Sequence, residues 1–326
     1  MNPDSRDNVD ALDQTAVEEL RTLGDCVRWG ASRFGEAGLF FGHGTDNALD
    51  EARVLALHAL HLGVDLPDRY LDARLTRLER EQVLALFGRR IRERLPAPYI
   101  TGEAWFAGLA FEIDARALVP RSPIAELIEA GFAPWLDPAG VTRVLDIGTG
   151  CGCIAVACAL ALPDARVDAV DTSDEALALA QHNIRRYGLG DRVNALHSDV
   201  YEALAGARYD LIVANPPYVP RASMEMLPGE YRCEPASALV AGDDGLDVVR
   251  RILAGAPDHL EADGLLVVEV GEAAPYLEQA CADLPLTWLD FERGGEGVFL
   301  LTGEQVQQYA AELRALTASE QQQQEG

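Results

Sequence analysis

The sequence predicts an α/β fold on a mostly parallel seven-stranded sheet, preceded by a small all-α domain and a linking β-hairpin. Three observations predict it. From residue 142 onward, short apolar runs alternate with amphipathic helical stretches, the pattern of parallel strands covered on both faces. Residues 13–94 carry helical periodicity and no strand pattern. A length of 326 residues suits one small domain and one of standard size.

In chain order, Ala16–Phe34 and Asn47–Leu62 read as helices on either side of a Gly-rich turn. Pro67–Arg94 continues with Leu71, Leu75, Leu78, Val83, Leu84 and Leu86 at roughly helical spacing. Pro96 and Pro98 break that pattern. Residues 99–114 are rich in aromatic and β-branched side chains, with Gly102 and Gly108 as turn signals, and predict a hairpin. Strands are expected at Arg143–Ile147, Ala165–Asp171, Arg192–His197, Tyr209–Ala214, Gly264–Val270, Thr287–Glu292 and Gly297–Thr302. Helices are expected at Ile154–Leu162, Asp174–Tyr187, Asp243–Ala254 and Ala273–Ala282. No helix separates the last two strands, so one of them is antiparallel. The expected domains are 1–93 (helical, for substrate recognition), 94–118 (hairpin) and 119–315 (α/β). The low-complexity tail at 316–326 is expected to be disordered.

Charge removes several function classes. Asp and Glu number 53 against 27 basic residues, a net charge of −26, and every basic residue is arginine. Without lysine there is no Schiff-base chemistry, no pyridoxal phosphate attachment and no phosphate-loop lysine. The acidic balance lacks the footprint of a protein that tracks duplex DNA. It suits a basic protein partner, and it equally suits simple solubility. Cysteines 26, 151, 153, 158, 233 and 281 form no Cys-x-x-Cys, and no His lies near the 151–158 cluster, so no metal site is expected. No apolar run reaches the roughly 18 residues of a membrane span, and the polar N-terminus MNPDSRDNVD resembles neither a signal nor a transit peptide. A cytoplasmic protein with reduced thiols is expected, and the oligomeric state is left open.

The chemistry is carried by two loops at predicted strand ends. The first is VLDIGTGCGCIA from Val144, with Gly148, Gly150 and Gly152 between a strand and a helix. Glycines permit positive φ and close approach of a ligand, and the helix N-terminus presents free N–H groups. The spacing differs from the Gly-x-Gly-x-x-Gly of dinucleotide binders. Asp146 precedes the glycines, Asp171 closes the next strand, and Asp199 follows the third. A carboxylate at Asp171 suits ribose hydroxyls, and one at Asp199 suits an adenine amino group. Acid near the glycines suits a cation and repels pyrophosphate. The expected cofactor is S-adenosylmethionine, with Asp146, Gly148, Gly150, Gly152, Asp171, Asp199 and Asn215 as its site. A nicotinamide-binding unit is the alternative.

The second loop is Asn215-Pro216-Pro217-Tyr218, directly after an apolar strand. The prolines stiffen it. The Asn215 carboxamide and the Pro216 carbonyl can then point at one planar –NH2, with Tyr218 as an aromatic wall. Two acceptors set out of the amide plane favour a pyramidal nitrogen aimed at an activated methyl, so the work is alignment and desolvation. These four residues are the expected catalytic set. The turn alone does not separate an amide from a nucleobase. The net charge and the lack of a basic target-recognition region argue against DNA.

The chain resembles the HemK-like protein-(glutamine-N5) methyltransferases over most of its length, with a helical domain, a hairpin and a Rossmann-like methyltransferase domain. Release-factor enzymes of that family carry Pro-Arg-Pro-x-Thr-Glu before the glycine loop. Here the segment reads Val119-Pro120-Arg121-Ser122-Pro123-Ile124-Ala125-Glu126. Together with Gly42-His43-Gly44-Thr45-Asp46-Asn47 and Ala104-Trp105-Phe106-Ala107-Gly108, it resembles the branch that methylates a glutamine of large-subunit ribosomal protein L-3. The resemblance implies that partner and cofactor. The alternatives are the same reaction on release factors and adenine-N6 methylation of nucleic acid. Glu234-Pro235, Ala241-Gly242 and Gly245-Leu246 match the family segment expected to fold over the site. Arg121 is expected to pair with an acid such as Glu126 or a cofactor-side carboxylate. Trp105 and Phe106 read as core, and His43 as a turn residue.

Overall fold

In a computed structural model, residues 15–324 are described; the polar N-terminal segment read against a leader, and the last two residues, lie outside them. The chain divides into two units. The first holds the chain up to Glu103 together with Pro228–Cys233, and the second holds Ala104–Leu227 and the chain from Glu234 onward. The return of 228–233 to the helical unit does not follow from a linear division of the sequence.

The first unit is helical, as its periodicity predicts. The single helix expected over Ala16–Phe34 is two: α1 at 15–19 and α2 at Leu23–Glu36. The break has a local cause. Thr22 accepts from the Asp25 N–H and Asp25 accepts from the Thr22 N–H, a capping box that starts a new helix. Asn47 caps α3, Ala48–Ala59. Thr76 and Glu79 cap α4, Arg77–Glu93, so the stretch expected from Pro67 becomes helical ten residues later. α5 spans Ala97–Thr101, with Pro98 inside its first turn, where the missing N–H is tolerated. Phe34 and Phe87 meet edge to face with ring centroids 5.3 Å apart, and Leu55 is fully buried with them.

That core also buries charge. Arg90 is 1% exposed and donates to Glu51 at 2.7 Å, to Glu230 at 3.1 Å and to the Phe40 carbonyl at 2.9 Å. Glu230 also accepts from the Phe40 N–H and pairs with Arg94 at 3.1 Å. Two arginines thus face two glutamates, which is how a buried ion cluster is tolerated. His43, read as a turn residue, is 2% exposed and packs edge-on to Tyr231 with centroids 4.7 Å apart.

The second unit opens with a hairpin of β1, Glu103–Phe106, and β2, Leu109–Glu112, shorter than expected because α5 takes up residues 97–101. Phe106 is buried, but Trp105 is 53% exposed, on the opposite face of its strand, which corrects its reading as core. α6, Ile124–Glu129, follows. The main sheet then forms from β3 (Arg143–Ile147), β4 (Arg166–Asp171), β5 (Val193–His197), β6 (Tyr209–Ala214), β7 (Leu260–Glu269), β8 (Thr287–Trp288) and β9 (Val298–Thr302). Its order is β5-β4-β3-β6-β7-β9-β8, parallel except that β9 runs against β7 and β8. This is the expected seven-stranded, mostly parallel sheet of a Rossmann-like methyltransferase fold. The connecting helices are α7 (Cys153–Ala161), α8 (Asp174–Arg186), α9 (Asp247–His259) and α10 (Ala274–Ala280). α11 (Gly303–Gln308) and α12 (Ala310–Gln324) complete it. α12 extends into the stretch for which composition predicts a disordered tail. Leu313 is fully buried and Arg314 pairs with Asp258 at 2.7 Å, which anchors a run of Ala, Glu and Gln of high helix propensity. No helix among the described residues is long and apolar enough to cross a membrane.

Replacing Arg90 by Met leaves Glu51 and Glu230 buried without their shared cation. Arg90→Met should lower unfolding free energy by about 3–5 kcal/mol in denaturant titration. A loss below about 1 kcal/mol would show that the cluster relaxes or hydrates without consequence.

Candidate active site

The sheet reverses its direction of growth between β3 and β6, the switch point where open α/β sheets bind ligands beyond the carboxyl ends of their strands. β3 and β6 pair in parallel with Ile147 beside Ala214. The glycine loop after Ile147 and the turn after Ala214 are therefore neighbours. A Cβ on Gly148 would stand 3.6 Å from the Asn215 carbonyl.

A cavity of about 410 Å³ opens there, within the usual range for a small-molecule site. Gly148, Gly150, Asp171, Asp199, Asn215, Pro216 and Pro217 lie on its wall, so most of the residues singled out from sequence converge. Residues 117–122 form another side. Pro235, Ser237, Ala238 and Val240, from the segment expected to cover the site, also line it.

Each polar group has a definable state. Asp171 accepts from the Gly150 N–H with one oxygen and from the Ser173 N–H with the other, both at 2.9 Å. Each oxygen keeps a lone pair, so the carboxylate can still receive two hydroxyls. Asp199 pairs with Arg251 at 2.8 Å. Asn183 is fully buried on α8. Its amide donates to the Cys151 carbonyl and to the Glu112 carbonyl and accepts from the Glu112 N–H, which clamps the glycine loop to β2. Among the described residues, Asn215 Oδ1 is buried with no hydrogen-bond partner. An orphaned acceptor in a cavity wall points to a donor that arrives with a ligand.

Three sequence expectations change, and a fourth, that Arg121 pairs with an acid, holds with a partner other than Glu126. Asp146 is fully buried and off the cavity wall. It accepts from Thr149 Oγ1 at 2.6 Å and from the Ala155 N–H at 3.1 Å, so it holds the loop from beneath. Gly152 is also off the wall. Its φ is +82°, and a Cβ there would press on Ala180 at 3.1 Å, so it serves the packing of α7 on α8. Tyr218 gives no wall to the cavity; its hydroxyl donates to Glu269 at 2.9 Å. Arg121 pairs bidentately with Glu234, at 2.7 and 2.9 Å, while Glu126 instead accepts from the backbone N–H groups of Glu292 and Arg293. Glu269 is not marked by the sequence as a member of the site region, and Glu234, expected there as part of the covering segment, is not marked as the partner of Arg121. Their partners lie about fifty or more than a hundred residues away, and no local pattern marks the pairings. None of the six cysteines is in a disulfide, and no cluster of potential metal ligands occurs among the described residues.

Burial pushes the Asp146 carboxyl up to about 7 from an ordinary 3.8, against the opposing hydrogen bonds from Thr149 and Ala155. Between those values the folded chain holds a proton that the unfolded chain has lost, so this group withdraws stability as pH rises through that window. The melting-temperature difference between Asp146→Asn and the native chain should therefore move in favour of the variant from pH 5 to pH 8. A difference that stays constant across that range would contradict the assignment.

Comparison with known proteins places the chain. The methyltransferase small domain family matches residues 132–227. The ribosomal protein uL3 glutamine methyltransferase of Xanthomonas campestris pv. campestris is 54% identical over 304 residues, covering 93% of this chain and 98% of that protein. The protein of the same name from Bordetella pertussis is 53% identical over 290 residues, covering 89% and 97%. Among solved structures, the T. thermophilus 16S rRNA N2 G1207 methyltransferase in complex with AdoMet and guanosine is 23% identical, with a TM-score of 0.44, covering 61% of this chain and 49% of that one. At this identity and coverage of the relatives, the chain belongs to the ribosomal protein uL3 glutamine methyltransferase family.

Proposed function

We propose that this protein transfers a methyl group from S-adenosylmethionine to the side-chain amide nitrogen of a glutamine in ribosomal protein uL3. The observation that carries the reading is Asn215 Oδ1, buried in the cavity wall beside the glycine loop with no partner of its own. The names of the relatives favour uL3 over release factors and over nucleic acid. A basic substrate of the kind ribosomes contain also fits a chain of net charge −26.

The cavity suits the cofactor on its own terms. Asp171 retains acceptor capacity for two ribose hydroxyls, Asp199 stands at the end of the third strand, and no lysine or arginine cradle for phosphate lies in the glycine loop. When bound, S-adenosylmethionine supplies an electrophilic methyl on a sulfonium. Asn215 Oδ1 accepts one amide N–H of the target glutamine and the Pro216 carbonyl accepts the other. Pro216 and Pro217 fix the φ angles that hold these acceptors in place. Acceptors outside the amide plane withdraw the nitrogen lone pair from conjugation and direct it along the line of displacement. S-adenosylmethionine held there would supply the methyl, its sulfur leaving as a neutral thioether, and the amide nitrogen that takes the methyl would lose its surplus proton to solvent. No acid or base in the turn is needed.

Asn215→Ala should lower kcat on uL3 by about 10²–10³-fold, the usual scale for one positioned polar contact, while cofactor affinity changes far less. Full activity in that variant, measured with labelled cofactor and purified uL3, would overturn the reading. Asp171→Ala should weaken cofactor binding by about 1–3 kcal/mol in calorimetry, and unchanged affinity would remove the ribose assignment.

A further inference from the structure

The turn that carries Asn215 rests on an interior carboxylate. Glu269 closes β7 and is 5% exposed. Both of its oxygens are engaged: Tyr218 Oη donates to Oε1 at 2.9 Å, and Ser122 Oγ donates to Oε2 at 2.5 Å. Ser122 Oγ in turn accepts from the Ile124 N–H at 3.2 Å, at the start of α6. The Tyr218 ring is seated on Gly271, whose φ is +43°; a Cβ at that glycine would come 2.6 Å from the ring. Next to Ser122, Arg121 is held by Glu234, which also accepts from the Val119 N–H at 3.0 Å. One acid therefore joins the last residue of the Asn-Pro-Pro-Tyr turn to the 119–122 wall of the same cavity.

We propose that Glu269 is a positioning residue for methyl transfer, acting through the Tyr218 hydroxyl to fix the attitude of the Asn215–Tyr218 turn and through Ser122 to fix the 119–122 wall. The proposal rests on the reading of Asn215 as the acceptor for the target amide. The chemistry is specific. Two O–H donors converge on one side chain that offers acceptors on both oxygens. Burial raises the Glu269 carboxyl above its ordinary range, and the two hydroxyls and the charge of Arg121 work against that. The two prolines between Asn215 and Tyr218 make the turn stiff, so a tilt at its tyrosine end is carried to the asparagine. Misplacement by about 1 Å in such a site lowers the rate by on the order of 10²-fold. Glutamine at 269 keeps the volume but replaces one acceptor by an NH2, so one hydroxyl has to turn and accept.

The test is a double-mutant cycle on the full chain with uL3 as substrate. Glu269→Gln and Tyr218→Phe should each lower kcat by roughly tenfold or more, with cofactor dissociation constants within about threefold of native. The double variant should fall no further than the worse single one, because both act through one hydrogen bond. Multiplying effects in the double variant would overturn the proposal. So would a Glu269→Gln loss that is matched by loss of cofactor binding, which would make the residue merely structural. If Glu269→Gln fails to fold, Tyr218→Phe and Ser122→Ala report on the same carboxylate: coupling in kcat supports the proposal and independence overturns it. Asn215→Ala in the same assay separates the two readings. Full activity there removes the underlying role of the turn, whereas loss there with an additive Glu269 cycle removes only this proposal.

Discussion

The register of two neighbouring strands sets up the whole site. Ile147 and Ala214 end β3 and β6 side by side. A slip of one residue would turn every side chain of one strand to the other face and separate the glycine loop from the turn. Side-chain contacts hold the register at the start of the two strands. At the amino end, the Asp210 carboxylate accepts from the Thr142 and Arg143 N–H groups at 2.7 and 2.9 Å. Past the carboxyl end of β3, the Gly148 and Thr149 N–H groups donate to the Val170 carbonyl of β4, which ties the glycine loop to the strand on its other side. With that register in place, an acceptor on one loop and a cofactor-sized cavity beside the other become parts of one space.

Acids do two kinds of work in this acidic chain. Asp171 and Asp199 stand at strand ends on the cavity wall. Asp146, Glu269, Glu234 and Asp210 hold loops and strand starts by accepting from backbone or side-chain donors. Asp146, Glu269 and Glu234 are buried, and each accepts at least two hydrogen bonds, which makes them exacting supports. The same logic appears in the helical unit, where Arg90 is enclosed between Glu51 and Glu230.

The parts legible in the sequence are those with local causes. Alternation of apolar runs and helices marked the seven strands, and the Gly-Thr-Gly-Cys-Gly and Asn-Pro-Pro-Tyr segments marked the two loops. The misread parts have two physical origins. Some local signals compete: the Thr22–Asp25 capping box interrupts an otherwise continuous helical period. Other features are settled only by tertiary packing. An acid inside an apolar strand, such as Asp146, reads as a ligand contact until the strand is seen to face the loop from below. The partnership of Arg121 with Glu234 spans 113 residues, and that of Tyr218 with Glu269 spans 51.

The central claim is that the methyl group ends on a glutamine amide nitrogen of uL3. The direct measurement uses uL3 purified from cells lacking this enzyme, incubated with the full chain and S-adenosylmethionine, and analysed by fragmentation mass spectrometry. The account predicts one added methyl on a single glutamine side chain of uL3 and none on accompanying ribosomal RNA. Methyl groups recovered in nucleic acid, or on uL3 side chains other than glutamine, would contradict it.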